Sequence, residues 1–264
     1  MPLSPLTAER VGEARGACRR VPVPCPVVDT DLWDKRSALA PLAAVLDPAD
    51  EVGRKNARIH RMHSRALLRF GGLEPSDHVL DFGCGNGRLA SLLASRARRV
   101  TGVDASEAMI RSARSLCDDE RCEFVAYDGE RLPFEDASFD ALVTAVTLQI
   151  FCETPERWRA TVSEIIRTLR PGARMSMIER MVPAETETEF TEERWRRELS
   201  HLGVEIERIR PVRNGVATGI GEAVERPRFP GFLLDAATRL DLARSARRGI
   251  EAPYTEALIT ARRR

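Results

Sequence analysis

The stretch His78-Val79-Leu80-Asp81-Phe82-Gly83-Cys84-Gly85-Asn86-Gly87-Arg88-Leu89 constrains this chain more than any other. Val79 and Leu80 are strand formers. Glycines at 83, 85 and 87 permit positive φ and let backbone approach a ligand with no Cβ in the way. The pattern predicts a buried strand, a tight turn and a helix, and a helix beginning near Asn86 would aim its first N–H groups at whatever lies over the turn. Several kinds of nucleotide site use such a turn, and the residues around the glycines discriminate between them. A dinucleotide site wants G-x-G-x-x-G/A, but the last position here is Arg88, too bulky for close helix–strand packing. Asp81 at the strand end would repel a pyrophosphate and suits a ligand carrying an ammonium group. No Gly-Lys-Ser/Thr follows, so the Walker pattern is absent. A cationic, amino-acid-bearing adenosine ligand fits best.

Around this stretch the chain alternates strand and helix. Strands are expected at 78–83, 99–104, 123–127, 139–147, 173–180, 204–212 and 254–261, with helices over 86–96, 155–169 and 191–202 and one capped by Ser106. The 139–147 run is almost continuously apolar, as a central parallel strand covered on both faces should be. Repeated units of this length imply right-handed crossovers and an α/β fold built on a doubly wound, mostly parallel seven-stranded sheet. Ligands in such sheets bind beyond the carboxyl ends of the strands, which would gather Asp81, Asp104 and Asp128 at one edge. Upstream, residues 1–30 hold five prolines and read as a mobile arm, and residues 31–72 read as a helical cap with a turn at Asp47-Pro48. The main domain then spans 73–264, and within it residues 213–253 form an insertion with its own helix from Phe232 to about Arg247, long enough to act as a lid.

Composition narrows the partners. The formal net charge is +1 with 41 basic and 40 acidic residues, which argues against a broad nucleic-acid surface. The six cysteines contain no C-x-x-C pair and no zinc spacing, so no metal is expected and the thiols read as reduced. With no basic-then-apolar leader and no apolar run approaching ~18 residues, the expectation is a soluble cytoplasmic protein, monomeric or homodimeric, without a membrane partner.

At this point the residues resemble class I S-adenosylmethionine-dependent methyltransferases, especially the small-molecule branch that includes ubiquinone/menaquinone-type enzymes. Val79 to Gly87 is similar to that family's first motif, Val103-Asp104-Ala105-Ser106 to its second-strand acid, and Asp128-Gly129 with Leu132-Pro133-Phe134 to its third. Phe139-Asp140 and Leu169-Arg170-Pro171-Gly172 complete a set of five in family order. The resemblance implies a Rossmann-like methyltransferase fold and S-adenosyl-L-methionine as cofactor, with S-adenosyl-L-homocysteine as product. It places Gly83, Cys84 and Gly85 against the methionine part, with Asp81 near the ammonium. Asp104 would accept from both ribose hydroxyls, Ala105 and Met109 would line the adenine slot, Asp128 beside Gly129 would accept from the adenine amino group, and backbone at Ala145 and Val146 would face the sulfonium. Taken singly, the residues also admit plainer roles: Asp104 as a helix cap, Asp128 as a turn residue, Cys84 as a small buried side chain.

The implied activity is methyl transfer to a hydroxyl or amine of a small molecule, such as a secondary metabolite, in which alignment supplies most of the acceleration. RNA or protein methylation, and a non-methylating cofactor-binding protein or cyclase of the same fold, are the alternatives. Many relatives carry Leu-x-His after the fourth strand, whereas Leu148-Gln149-Ile150 puts Ile150 there. Candidate bases are therefore His60 and His63, three apart on one helix, either of which could sit over the pocket mouth or simply pack. Trp33, Gln149, Glu179 and Arg180 are acceptor-pocket candidates by position alone.

Overall fold

A computed structural model describes residues 30–148, 154–186, 189–215, 219–226, 228–251 and 253–264. The expected arm thus lies outside the described residues but for Thr30, and so does Gln149. Seven strands, β1 (His78–Phe82), β2 (Arg99–Asp104), β3 (Cys122–Ala126), β4 (Phe139–Ala145), β5 (Leu169–Met181), β6 (Val204–Asn214) and β7 (Thr255–Arg263), form one sheet in the order β3-β2-β1-β4-β5-β7-β6. The first five run parallel, and β7 is antiparallel to both β5 and β6. From β1 the chain winds outward to β3 and then returns to place β4 on the other side of β1. A topological switch point therefore lies between β1 and β4, and a crevice opens beyond their carboxyl ends.

Strand alternation sends neighbouring residues to opposite faces. Val79 joins a core with Met62, Leu67, Leu93 and Val143, while Leu80 and Phe82 join the other with Val162, Met177 and Trp195. Helices α3 (Arg54–Phe70) and α4 (Ala90–Ala94) cover the first face. Helices α6 (Pro155–Thr168) and α7 (Glu192–His201) cover the second, where the rings of Trp158, Phe190 and Trp195 meet at 5.2 to 5.6 Å. Helix α5 (Glu107–Leu116) starts where the Ser106 hydroxyl accepts from Met109 N–H, and α6 and α7 start at Thr154 and Thr191 in the same way. Upstream, the short helices α1 (Asp31–Arg36) and α2 (Pro41–Val45) precede α3.

Three local expectations change. The helix predicted over 86–96 is reduced to Ala90–Ala94, because Gly87 at φ +73° cannot join a right-handed helix and residues 85–89 form turns instead. Strand β4 stops at Ala145, since Val146 takes φ +60°. Strand β5 begins before the Arg170-Pro171-Gly172 stop signal, which becomes an irregularity inside the strand: Phe139 pairs with Leu169, but Ala141 pairs with Arg174.

The 213–253 insertion contributes α8 (Ile220–Glu225), a 3₁₀ turn at Gly231–Leu233 and α9 (Leu234–Arg248). These pack beside α3 and β6, held by the buried Arg58, which reaches Asp241 at 2.6 Å and Glu225 at 3.1 Å. None of the insertion's described residues lines the crevice, so the lid expected there is not over it. Among the described residues, Trp33 of α1 and Val45 of α2 line the crevice from the N-terminal side. No helix among the described residues is long and apolar enough to cross a membrane.

Candidate functional site

The crevice is walled by the ends of four parallel strands. Asp81, Gly83, Cys84 and Gly85 come from β1 and its turn, Asp104 and Ala105 from β2, Tyr127 from the end of β3, and Ala145 to Thr147 from β4. The turn is held by Val103, whose carbonyl accepts from the N–H of both Gly83 and Cys84 at 2.8 and 3.0 Å. Gly83 is required on two counts. Its φ is +68°, and a Cβ there would lie 2.1 Å from Thr147 Cγ2.

Asp104 closes the second side. Its Oδ2 accepts from Gly85 N–H and its Oδ1 from Ser106 N–H, both at 2.9 Å, and burial raises its pKa against those bonds. Each oxygen keeps a further lone pair for a ligand hydroxyl. Ser106 in turn donates to Asp34 Oδ1 at 2.5 Å, and Asn86 Nδ2 donates to the Pro41 carbonyl at 2.6 Å. Val45 lies over Gly85, where an added Cβ would meet its Cγ1 at 2.6 Å. The cap is thus fastened at three points, two on the glycine turn and one at the start of α5. With it seated, the enclosed void is about 80 Å³, well below the ~300–1,000 Å³ of typical small-molecule sites.

The fourth group on this wall is one the sequence pattern used only to exclude a dinucleotide: Arg88. Its Nη2 donates to His63 Nδ1 at 3.2 Å, and its Nη1 is buried without a protein partner. The His63 tautomer follows from its neighbours. Nδ1 accepts from Arg88, so Nε2 carries the proton and donates to Glu256 Oε2 at 2.8 Å. Burial lowers the His63 pKa against the pull of Glu256, which keeps the ring neutral as that tautomer requires. For Glu256, burial pushes the pKa up, but Arg213 at 2.6 Å and His63 outweigh it and leave the carboxyl well below its ordinary range. A chain Arg213–Glu256–His63–Arg88 therefore runs from β6 and β7 through α3 to the crevice and fixes the guanidinium there.

Asp81 answers Arg88. It is 3% exposed, its Oδ2 has no partner, and burial raises its pKa to about 7 although Arg88 opposes the shift. Burial lowers Arg88 itself to about 10, so it remains charged at neutral pH. Two residues lining the crevice thus hold a buried carboxylate oxygen and a buried guanidinium nitrogen, neither with a protein partner.

Other expected site residues fall elsewhere. Asp128 is exposed and spends Oδ1 on the N–H groups of Glu130 and Arg131, which is the turn role. Neither it nor Gly129 nor Met109 lines the crevice; Met109 is 1% exposed and packed beneath Ser106. Trp33 does line it, stacked on Arg36 at 4.7 Å. Glu179 is fully buried behind the β4 loop, where its Oε1 accepts from Thr144 Oγ1 and from the N–H of Thr147 and Leu148. Arg180 lies over the Tyr254 ring at 4.5 Å, away from the crevice lining. The two histidines do not share a mouth. His63 is buried in the chain described above, and His60 belongs to a separate groove, with burial lowering its pKa to about 4. Thr30, Val45, Phe82, Arg88, Leu89, Ser106, Tyr127 and Thr147 line the crevice without having been anticipated. Tyr127 sits one residue before the acid that drew attention, and Arg88 lay inside the motif itself.

Residues 79–172 match the family described as "Methyltransferase domain". The match lies over β1 to the start of β5, so this part of the chain is similar to a methyltransferase domain. Over 126 residues this chain is 32% identical to the ubiquinone/menaquinone biosynthesis C-methyltransferase UbiE of Rubrivivax gelatinosus, covering 48% of each. Over 131 residues it is 32% identical to the 27-O-demethylrifamycin SV methyltransferase of Amycolatopsis mediterranei, covering 47% of each. The match spans about half the length of these curated relatives. In three dimensions the methyltransferase fold extends further. The geranyl diphosphate C-methyltransferase of Streptomyces coelicolor A3(2) superposes with a TM-score of 0.57 at 16% identity, covering 89% of this chain and 97% of that one, a likeness of fold alone.

Proposed function

We propose that the chain binds S-adenosylmethionine in the crevice and transfers its methyl group to a hydroxyl or amine of a small molecule. The observation that carries this reading is the pairing of Asp81 Oδ2 with Arg88 Nη1, a buried acceptor and a buried donor, both without protein partners, on one wall. An amino-acid moiety is zwitterionic and supplies an ammonium and a carboxylate to match them. Asp104 is left to bind the ribose hydroxyls, with Ala105 and Tyr127 beside the base. The cofactor supplies an activated methyl on a sulfonium, so the protein's part is to orient and to exclude water. Glu179 serves that end by holding the N–H groups of Thr147 and Leu148, and through Thr147 the turn at Gly83. The cap formed by α1 and α2 must swing out for entry, because the void beneath it is too small for an adenosine.

The described lining residues include no histidine, and His63 is already engaged at both ring nitrogens. This favours an acceptor that needs no imidazole base, an amine or an acidic hydroxyl such as a phenol. Relatives named for carbon and for oxygen methylation both match, so the acceptor atom rests on the site chemistry. Isothermal titration with S-adenosylmethionine and S-adenosylhomocysteine tests the core of the reading, followed by methyl-labelled cofactor with panels of phenols, amines and RNA. Saturable binding lost in Asp81→Asn is expected. Absence of binding, or equal binding by that variant, refutes it, and binding with labelled RNA but no labelled small molecule moves the activity to the macromolecular alternative.

A further inference from the structure

A second groove runs between α3, α4, β6 and α9, with a volume of about 880 Å³. It shares no lining residue with the crevice. Six arginines line it, Arg61, Arg65, Arg69, Arg96, Arg210 and Arg239, against one acid, Asp235. That acid is already engaged by Arg65 at 2.7 Å and by Arg239 at 3.7 Å. Arg61, Arg69, Arg96 and Arg210 have no carboxylate partner among the described residues, although charges nearly cancel over the whole chain. Arg210 and Arg69 lie over the Phe70 ring at 3.9 and 5.5 Å, which holds both guanidiniums in place. Between the arginines the lining is apolar, from Leu68, Leu92, Pro211, Leu242, Ala243 and Ala246. Buried polar atoms of three lining residues, His60 Nδ1, Ser64 Oγ and Arg210 Nε, also lack protein partners.

Guanidiniums without carboxylate partners over an apolar floor complement a ligand with both an anion and a hydrocarbon part, because neither inorganic anion nor neutral lipid would match the whole lining. The volume falls within the ~300–1,000 Å³ of small-molecule sites. Residues 1–29 of the chain are poor occupants by charge, with four arginines against Glu9, Glu13 and Asp29. We propose that this groove is a second ligand site, which takes a monomeric single-chain amphiphile with a phosphate head, the chain along Phe70, Leu92 and Leu242 and the head among Arg61, Arg69 and Arg210. The site is independent of the cofactor reading, since it neither touches the crevice nor uses its residues.

The probe is dodecyl phosphate below its micelle threshold, titrated calorimetrically into the full chain, with inorganic phosphate, octyl glucoside, phosphatidylglycerol vesicles and an acidic amphipathic peptide as parallel arms. Saturable binding of one dodecyl phosphate per chain is expected, with inorganic phosphate and octyl glucoside each weaker by roughly tenfold or more. In the triple variant Arg61→Gln/Arg69→Gln/Arg210→Gln the affinity should fall by at least roughly tenfold, and Ala243→Trp, which fills the groove while keeping every charge, should also abolish it. Unchanged melting temperature and unchanged S-adenosylhomocysteine binding in these variants would show that the fold and the crevice are intact. If the variants bind dodecyl phosphate like the wild type, if binding begins only with micelles or vesicles, or if the peptide binds more tightly, the proposal is overturned.

Discussion

Arg88→Met gives the sharpest test of the crevice. The substitution keeps much of the buried stem but removes the unpartnered donor that the proposal assigns to the ligand carboxylate and the positive charge that opposes protonation of Asp81. A charge-assisted hydrogen bond contributes about 1.5–3 kcal/mol, so S-adenosylhomocysteine affinity should fall roughly 10- to 150-fold. A second effect is read from pH. Asp81 stands at about 7 with Arg88 in place, and only its ionised form attracts an ammonium. Wild-type affinity should therefore rise with pH up to about 7 and then level off. Without Arg88 the Asp81 pKa moves higher, so the variant's affinity should still be climbing at about pH 8. The assay is calorimetric titration of S-adenosylhomocysteine between about pH 6 and about pH 8, with thermal melts at each pH. The melts matter because His63 Nδ1 loses its donor, an unsatisfied buried atom costing about 1–3 kcal/mol. Affinity within about twofold of wild type across the range, or an unmoved pH midpoint in a folded variant, would refute the pairing of Asp81 with Arg88.

Glu256→Gln should leave Arg213 buried without an anion and cost about 3–5 kcal/mol in urea unfolding, with a smaller loss if the chain Arg213–Glu256–His63 contributes little. Glu179 has a folded pKa of about 7, raised by burial above the ordinary 4.5. Between those values the unfolded chain binds fewer protons, so its contribution is complete below about pH 4.5 and lost as pH rises through about 7, a decline of about 3 kcal/mol. Glu179→Gln should remove that slope from denaturation curves, and an identical slope would assign it to other groups. Asp128→Ala should change S-adenosylhomocysteine affinity by less than about twofold, because its carboxylate closes its own turn; a loss of tenfold or more by titration would restore it to the adenine site.

Sequence alone determined the framework. The alternation of apolar runs with capped helices gave the parallel sheet, because period-two and period-3.6 patterns are local and each element buries its own face. It also gave the glycine turn and Asp104, since a positive φ and an acid at a strand end leave their mark on neighbouring residues. Tertiary structure decided which side chains meet. Asp128 followed its nearest backbone N–H groups instead of the crevice, and the insertion chose α3 and β6 because Arg58 ties it there. Arg88 is the instructive case. Within the motif it was legible only as too large for a dinucleotide turn, whereas its role depends on His63 and Glu256, which lie 25 residues upstream of it and 193 residues beyond His63. No local pattern records such contacts, because the order of strands in the sheet, not spacing along the chain, brings β7 and α3 to the same wall.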